Sequence, residues 1–228
     1  MNFSSFIKGF VHVLMPNLCR SCDNALYEHE HVICLECLYH LPVTDFHLDK
    51  NNESAKQLWG KVDFQFASSM LYLNKSSRVE RLVHRLKFKG FSEIGEYLGA
   101  MYASELKNIQ PQFDYIIPVP IHSSKLRKRG YNQAECFAIG LSKGLCVPVL
   151  NGVLIRTIHS QSQTTQARLE RYDNVEHVFE LTTEKYLLNN KHVLIVDDVL
   201  TTGATLSVVG NVLIKEGAKV SFVTLARA

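Results

Sequence analysis

No run of about eighteen or more uninterrupted apolar residues occurs in this chain, so it offers no segment of the length and apolarity that a membrane-spanning helix requires. Charge of one sign is scarce too. Lys and Arg number 25 against 22 Asp and Glu, a net +3 that supports no case for nucleic-acid binding by itself and leaves only the question of where the cations cluster. No GxxxxGK[ST] run is present, which argues against a Walker-type nucleotide site. No internal repeat or low-complexity tract interrupts the sequence. The first residues, MNFSSFIKGFVHVLMPNLC, lack a basic leader and a small-residue cleavage site, and the expectation is a cytoplasmic protein. What is present is ordinary globular material. A chain of 228 residues, 46% hydrophobic and 21% charged, can bury one domain's core and carry a small appendage.

The appendage is expected at the front. Phe3, Phe6, Ile7, Phe10, Val11 and Leu14 recur at helical spacing, which predicts an amphipathic helix that packs on the main domain or lies weakly against a membrane. Cysteine is sparse, six in all, yet four fall together as Cys19-x2-Cys22 and Cys34-x2-Cys37, eleven residues apart. Each CxxC turn presents two thiolates to one ion, and two such turns close a tetrahedral site. Disulfides are the competing reading, but a chain expected in a reducing compartment favours zinc. Four sulfur ligands leave no open position for a substrate, so the metal is expected to be structural. Cys136 and Cys146 read as small core side chains. The expected organisation is a helix and zinc module over 1–48, a linker over 49–61 and one domain over 62–228.

Within that domain, Val193 to Thr205 reads VLIVDDVLTTGAT. Val193 to Val196 are an unbroken apolar run, suited to a central parallel strand covered on both faces. Ligand crevices in such sheets lie beyond the carboxyl ends of the strands, where Asp197 and Asp198 fall. Adjacent strand residues point to opposite faces, so the pair can converge on one ligand only if the strand has ended before them. Thr201, Thr202, Gly203, Ala204 and Thr205 then lead into a helical pattern over 206–216. A helix start offers N–H groups and the positive end of the dipole to a phosphate, while the carboxylates suit sugar hydroxyls nearby. The site fits a ribose 5-phosphate. The alternative is a capped helix with no ligand, at the cost of two unpartnered acids.

The remaining pattern alternates. A strand is expected over 64–73 and a helix over 77–89, with Val79, Leu82, Val83 and Leu86 on one face and Arg78, Arg81, Arg85 and Lys89 on another. That charged stripe is either a solvated face or a strand contact. A helix over 95–109, a strand at 115–117, a helix over 131–146 and strands over 147–155 and 219–225 follow. Between them HSSKLRKRGYNQ crowds Lys125, Arg127, Lys128 and Arg129 into a loop, on the same rim as the acid pair. Four cations in five residues repel one another unless they share an anion, a pyrophosphate or a nucleic-acid backbone. Strands alternating with helices make an α/β fold, a mainly parallel sheet flanked by helices.

Val193 to Thr205 resembles the phosphoribosyl pyrophosphate (PRPP) loop of type I phosphoribosyltransferases. The resemblance implies that Asp197 and Asp198 contact the ribose hydroxyls and that Thr201 to Thr205 hold the 5-phosphate, with Mg²⁺ accompanying PRPP. The paired CxxC turns, KFKG at 87–90, IIPVP, RGYNQ at 129–133 and a Gln163, Arg171, Asn174 segment together resemble the ComF family; the chain departs from its pattern at Gln166 and Val178. Members of that family are associated with natural transformation, and the resemblance implies a PRPP-binding competence protein that handles incoming single-stranded DNA in the cytoplasm, with competence or DNA-processing proteins as partners. The cations at 125–129 and the 78–89 stripe are then candidate DNA contacts, with Phe88, Phe91 and Tyr131 as candidate base-stacking residues. The alternative is an active phosphoribosyltransferase, with Asp197 and Asp198 catalytic, the basic residues on the pyrophosphate and an acceptor that nothing in the sequence names.

Overall fold

The computed structural model describes residues 16–107, 112–157 and 178–228. In chain order the first half carries helices α1 (Leu35–Tyr39) and α2 (Glu53–Leu58), strand β1 (Ala67–Tyr72), helices α3 (Arg78–Phe88) and α4 (Glu93–Leu106), and strand β2 (Tyr115–Pro118). The second half carries α5 (Ser123–Arg129), α6 (Gln133–Leu145), β3 (Leu154–Arg156), β4 (Phe179–Leu181), β5 (His192–Leu200), α7 (Ala204–Lys215) and β6 (Lys219–Arg227).

The long apolar runs form the centre. One sheet has the order β1-β6-β5-β2, with every neighbouring pair parallel. Parallel strands need both faces covered, and Val193, Leu194, Ile195 and Val196 are accordingly all fully buried. Leu194 and Val196 join a core with α3, α4 and α6, whereas Val193 and Ile195 join one with α2, α7 and the β3–β4 pair. On the first face α4 and α6 touch backbone to backbone. A methyl group on Gly99 would stand 2.3 Å from the Phe137 carbonyl oxygen, and one on Gly140 would stand 2.2 Å from that of Glu96.

Several expectations are corrected. β5 does not end before the acids: it runs to Leu200, because Asp197 pairs with Thr224, Val199 with Ala226 and Leu200 with Arg227 of β6. The basic segment is not a loop but the short helix α5, capped by the His122 side chain at its start and by Gly130, at φ 82°, at its end. Of the strand expected over 147–155, only Leu154 and Ile155 are strand residues, in the antiparallel pair of β3 with β4; Val149 makes a lone bridge to Ile116. Cys136 is buried as expected, but Cys146 is exposed at the C-cap of α6 with φ 58°. The segment expected as a linker, 49–61, contains α2, whose Ala55 and Leu58 are fully buried. Asn52 ties it down by donating to the carbonyls of Phe46, Asp49 and Ala67 while accepting from the Ala55 N–H. Ser54 extends the anchorage through hydroxyl bonds to Ser69 and on to Thr224.

The expected helix at Phe3 to Leu14 and the Gln163, Arg171, Asn174 segment lie outside the described residues. Among the described residues no helix is long and apolar enough to cross a membrane.

Candidate functional site

All four sheet strands are parallel, so their carboxyl ends share one rim, and the acids lie there. Asp197 and Asp198 are half-buried neighbours, the Asp198 N–H donating to Asp197 Oδ1 at 2.8 Å. They remain in a strand, yet their carboxyl groups stay near enough for the charge of Asp198, and of the lysine that Asp198 meets, to act on Asp197. Asp198 meets α3, where Lys87 Nζ lies 3.0 Å from its Oδ2. Asp197 keeps no such close cation among the described residues. Burial, and next the charge of Asp198, push its carboxyl up to about 7, against the pull of the Asp198 N–H, Lys87 and Arg156.

Downstream, Thr201 and Thr202 are exposed and Gly203 turns the chain into α7 with φ 78°, a left-handed conformation costly for other residues. The first turn of α7 directs N–H groups without intrahelical partners toward this loop. The loop rests on α2: a Cβ on Gly203 would meet Leu58 Cδ2 at 2.9 Å and the Gln57 carbonyl oxygen at 3.2 Å. Lys61 Nζ clamps the two segments, donating to Gln57 O and Thr202 O, both at 2.8 Å. Such a rim suits an anionic sugar phosphate, with hydroxyl acceptors beside phosphate donors.

β2 pairs with β5 through Pro118 and Val196, which brings the following residues to the same rim. There α5 exposes Lys125, Arg127 and Lys128. Arg129 is engaged instead, donating to Gln133 Oε1 at 2.5 Å and lying 5.1 Å over the Phe88 ring. Of the aromatics considered for stacking, Phe88 is 57% exposed. Phe91 is half-buried beneath the Arg20 guanidinium, and Tyr131 donates its hydroxyl to Leu86 O at 2.6 Å.

The charged stripe on α3 divides. Arg78 lies 3.6 Å from Glu36, and Arg85 Nη2 lies 2.6 Å from Asp23 Oδ2, so these two hold the cysteine module and are not free strand contacts. Arg81 and Lys89 are exposed. In the module itself, the sulfur atoms of Cys19, Cys22, Cys34 and Cys37 lie within 4.8 Å of one another. N–H groups of Ser21 and Cys34 point at Cys19 Sγ, and that of Cys37 at Cys34 Sγ. Burial opposes ionisation of Cys19, yet the N–H groups of Cys34, Cys22 and Ser21 bring its thiol down to about 7. Four converging sulfurs with N–H support fit a tetrahedral thiolate-bound metal, zinc being the ion such a set suits.

The model of the phosphoribosyl transferase domain family matches residues 132–228. Competence protein F of Haemophilus influenzae is 27% identical over 228 residues, covering 96% of this chain and 95% of that one. The chain thus resembles the ComF family. DNA utilization protein YhgH of Escherichia coli O157:H7 is 30% identical over 142 residues, 60% of this chain and 61% of its own. Competence protein ComFC of Bacillus subtilis is 26% identical over 153 residues, 66% of this chain and 60% of its own. The chain thus spans about three fifths of these last two relatives.

The matched domain begins at Asn132, the cap of α6, and takes in the acid pair, the Thr/Gly loop, α7 and β6. Lys87, Lys61, α5 and the four cysteines lie before it. Lys87, Lys61 and Arg156 were not singled out from sequence as site residues. KFKG drew attention as a pattern, but Lys87 sits off the 78, 81, 85, 89 stripe, and its partner is 111 positions away.

Proposed function

We propose that this chain binds PRPP with Mg²⁺ at Asp197, Asp198 and Thr201 to Thr205, carries structural zinc on its four cysteines, and serves natural transformation by handling incoming single-stranded DNA in the cytoplasm. The PRPP part is supported by the acid pair and the loop before α7 lying on one rim. The DNA part draws on the names of the relatives, two competence proteins and a DNA utilization protein.

One observation carries the DNA reading furthest. Phe88 is exposed between the His84 ring, 5.1 Å away, and the Arg129 guanidinium. Arg81, Lys89, Lys125, Arg127 and Lys128 are exposed on the elements that flank it. An aromatic face for a base, with cations for the phosphates on either side, is the chemistry of single-strand recognition without sequence preference. Anisotropy titration of a labelled oligonucleotide tests it. Phe88→Ala is expected to weaken binding by about 1–3 kcal/mol, and joint replacement of Lys125, Arg127 and Lys128 by Ala to flatten the dependence of log affinity on log salt. Equal affinity and equal slope in all three proteins would remove the DNA assignment. Calorimetric titration with PRPP and Mg²⁺ tests the other half, binding being expected in the wild type and absent in Asp197→Ala/Asp198→Ala.

A second reading, ribose 5-phosphate transfer from PRPP to an acceptor, is favoured by the carboxyl groups and the loop standing together. Departure of pyrophosphate leaves an oxocarbenium-like ribose that a neighbouring carboxylate stabilises. Pyrophosphate release with a panel of nucleobases is its measurement, and none above background would dismiss it.

A further inference from the structure

The end of α3 touches four separate parts of the molecule through four consecutive residues. Arg85 grips the first cysteine turn twice, through Nη2 to Asp23 Oδ2 at 2.6 Å and through Nη1 to Cys19 O at 3.4 Å. Asp23 is itself fixed by that turn, in a left-handed conformation with φ 67° and with its N–H bonded to the same Cys19 carbonyl. Leu86 O receives the Tyr131 hydroxyl, which ties the helix to the start of α6. Lys87 holds Asp198 at 3.0 Å. Phe88 lies beneath Arg129 of α5.

We infer that Arg85 is a positioning residue for the acid pair: docking of the four-cysteine module on α3 fixes the last turn of that helix and so sets where Lys87 meets Asp198. The inference rests on the reading of the rim as a PRPP site. Its physical basis is short-range and rigid. Helical geometry fixes Lys87 relative to Arg85 once the turn is formed, so slack at Arg85 becomes slack at the Lys87 ammonium. A carboxylate that must accept sugar hydroxyls close to a polyanion depends on a cation held at one distance, because Coulomb energy falls with separation. The cysteine module therefore contributes to the ligand site without touching the ligand.

The zinc-loaded chain tests this with a double-mutant cycle on Asp23→Asn and Lys87→Ala. Asp23 is largely exposed, so Asp23→Asn leaves the fold intact, and equal far-ultraviolet circular dichroism and zinc content check that. Calorimetry with PRPP and Mg²⁺ is expected to show Asp23→Asn weakening binding roughly three- to tenfold. In the Lys87→Ala background the same substitution is expected to do nothing further. Amide shifts of residues 197–205, read without ligand, give a second measure: Asp23→Asn moves them only when Lys87 is present. An effect of Asp23→Asn that is the same with and without Lys87, or no effect in either background, overturns the inference. If the wild type takes up no PRPP, the ligand reading fails by itself, and the amide shifts still decide the coupling.

Discussion

The carboxyl of Asp197 is raised from 3.8 to about 7 by burial and by Asp198, so the folded chain holds this proton more tightly than the unfolded chain does. Between those two values the native state carries the extra proton, and stability falls as pH rises through the window from about 4 to about 7. Above it the full penalty of an ionised, half-buried acid remains. Asp197→Asn removes the ionisation while keeping an oxygen for the Asp198 N–H. The variant is therefore expected to exceed the wild type by about 1–3 kcal/mol at pH 8, with the gap closing toward pH 4. Urea unfolding of both proteins at pH 8 and pH 4.5 measures it, and a gap independent of pH would assign the effect to packing instead. Such a cost is tolerated where a carboxyl group is kept for something other than stability. Lys87, only 3.0 Å from Asp198, offsets part of the pair's repulsion.

Elements built from local pattern were legible and elements built from distant contacts were not. Val193 to Val196 announced a buried parallel strand by composition, and α3 showed its apolar face at 79, 82, 83 and 86, all buried in the fold. By contrast α2 has only Ala55 and Leu58 as apolar residues, and it is helical because Asn52 and Ser54 are fastened to β1 and its neighbours. Nothing in DKNNESAKQLWGK carries that information. α5 exposes three of its four cations, and its two ends are set by His122 and Gly130 and not by an apolar stripe. The acid pair was legible as chemistry, but the extent of β5 past it depends on hydrogen bonds to β6, and the partners of Arg78, Arg85 and Lys87 lie far off in sequence. The seam of α4 with α6 is equally non-local. The glycines there are spacers, and Gly140→Ala would force the new methyl against the Glu96 carbonyl, which has no rotamer to escape into. A loss of about 2–3 kcal/mol is expected, visible as a lowered thermal midpoint, whereas Gly152→Ala meets no atom within 4 Å and should lose only the backbone strain of its left-handed φ of 77°, about 1 kcal/mol.

At the scale of the whole molecule, the cysteine module and the sheet domain share a core. Leu26, Ile33, Leu41, Cys19 and Cys37 belong to the same buried cluster as Leu82, Leu86, Ile94 and Leu98. Ion pairs stitch its edge: Arg20 with Glu93, Arg78 with Glu36 and Arg85 with Asp23. Exposed pairs of this kind contribute little each, so the joint depends mainly on the apolar contacts they surround. A module joined in this way cannot melt while leaving its neighbour untouched, because its departure would expose Leu82 and Leu86 to water. The metal-loaded chain is therefore expected to unfold in a single calorimetric transition, with the enthalpy of the whole. Removing the metal with a chelator should lower that transition and broaden it, because four sulfurs within 4.8 Å of one another lose the ion that offsets their repulsion and desolvation. Near-ultraviolet circular dichroism of the aromatics packed on α3, Phe91 and Tyr131 among them, should shift on the same titration. Two resolved transitions in the loaded protein, or a chelated protein whose remaining transition is unmoved, would mean that the module is an independent appendage and that the shared core stabilises neither part.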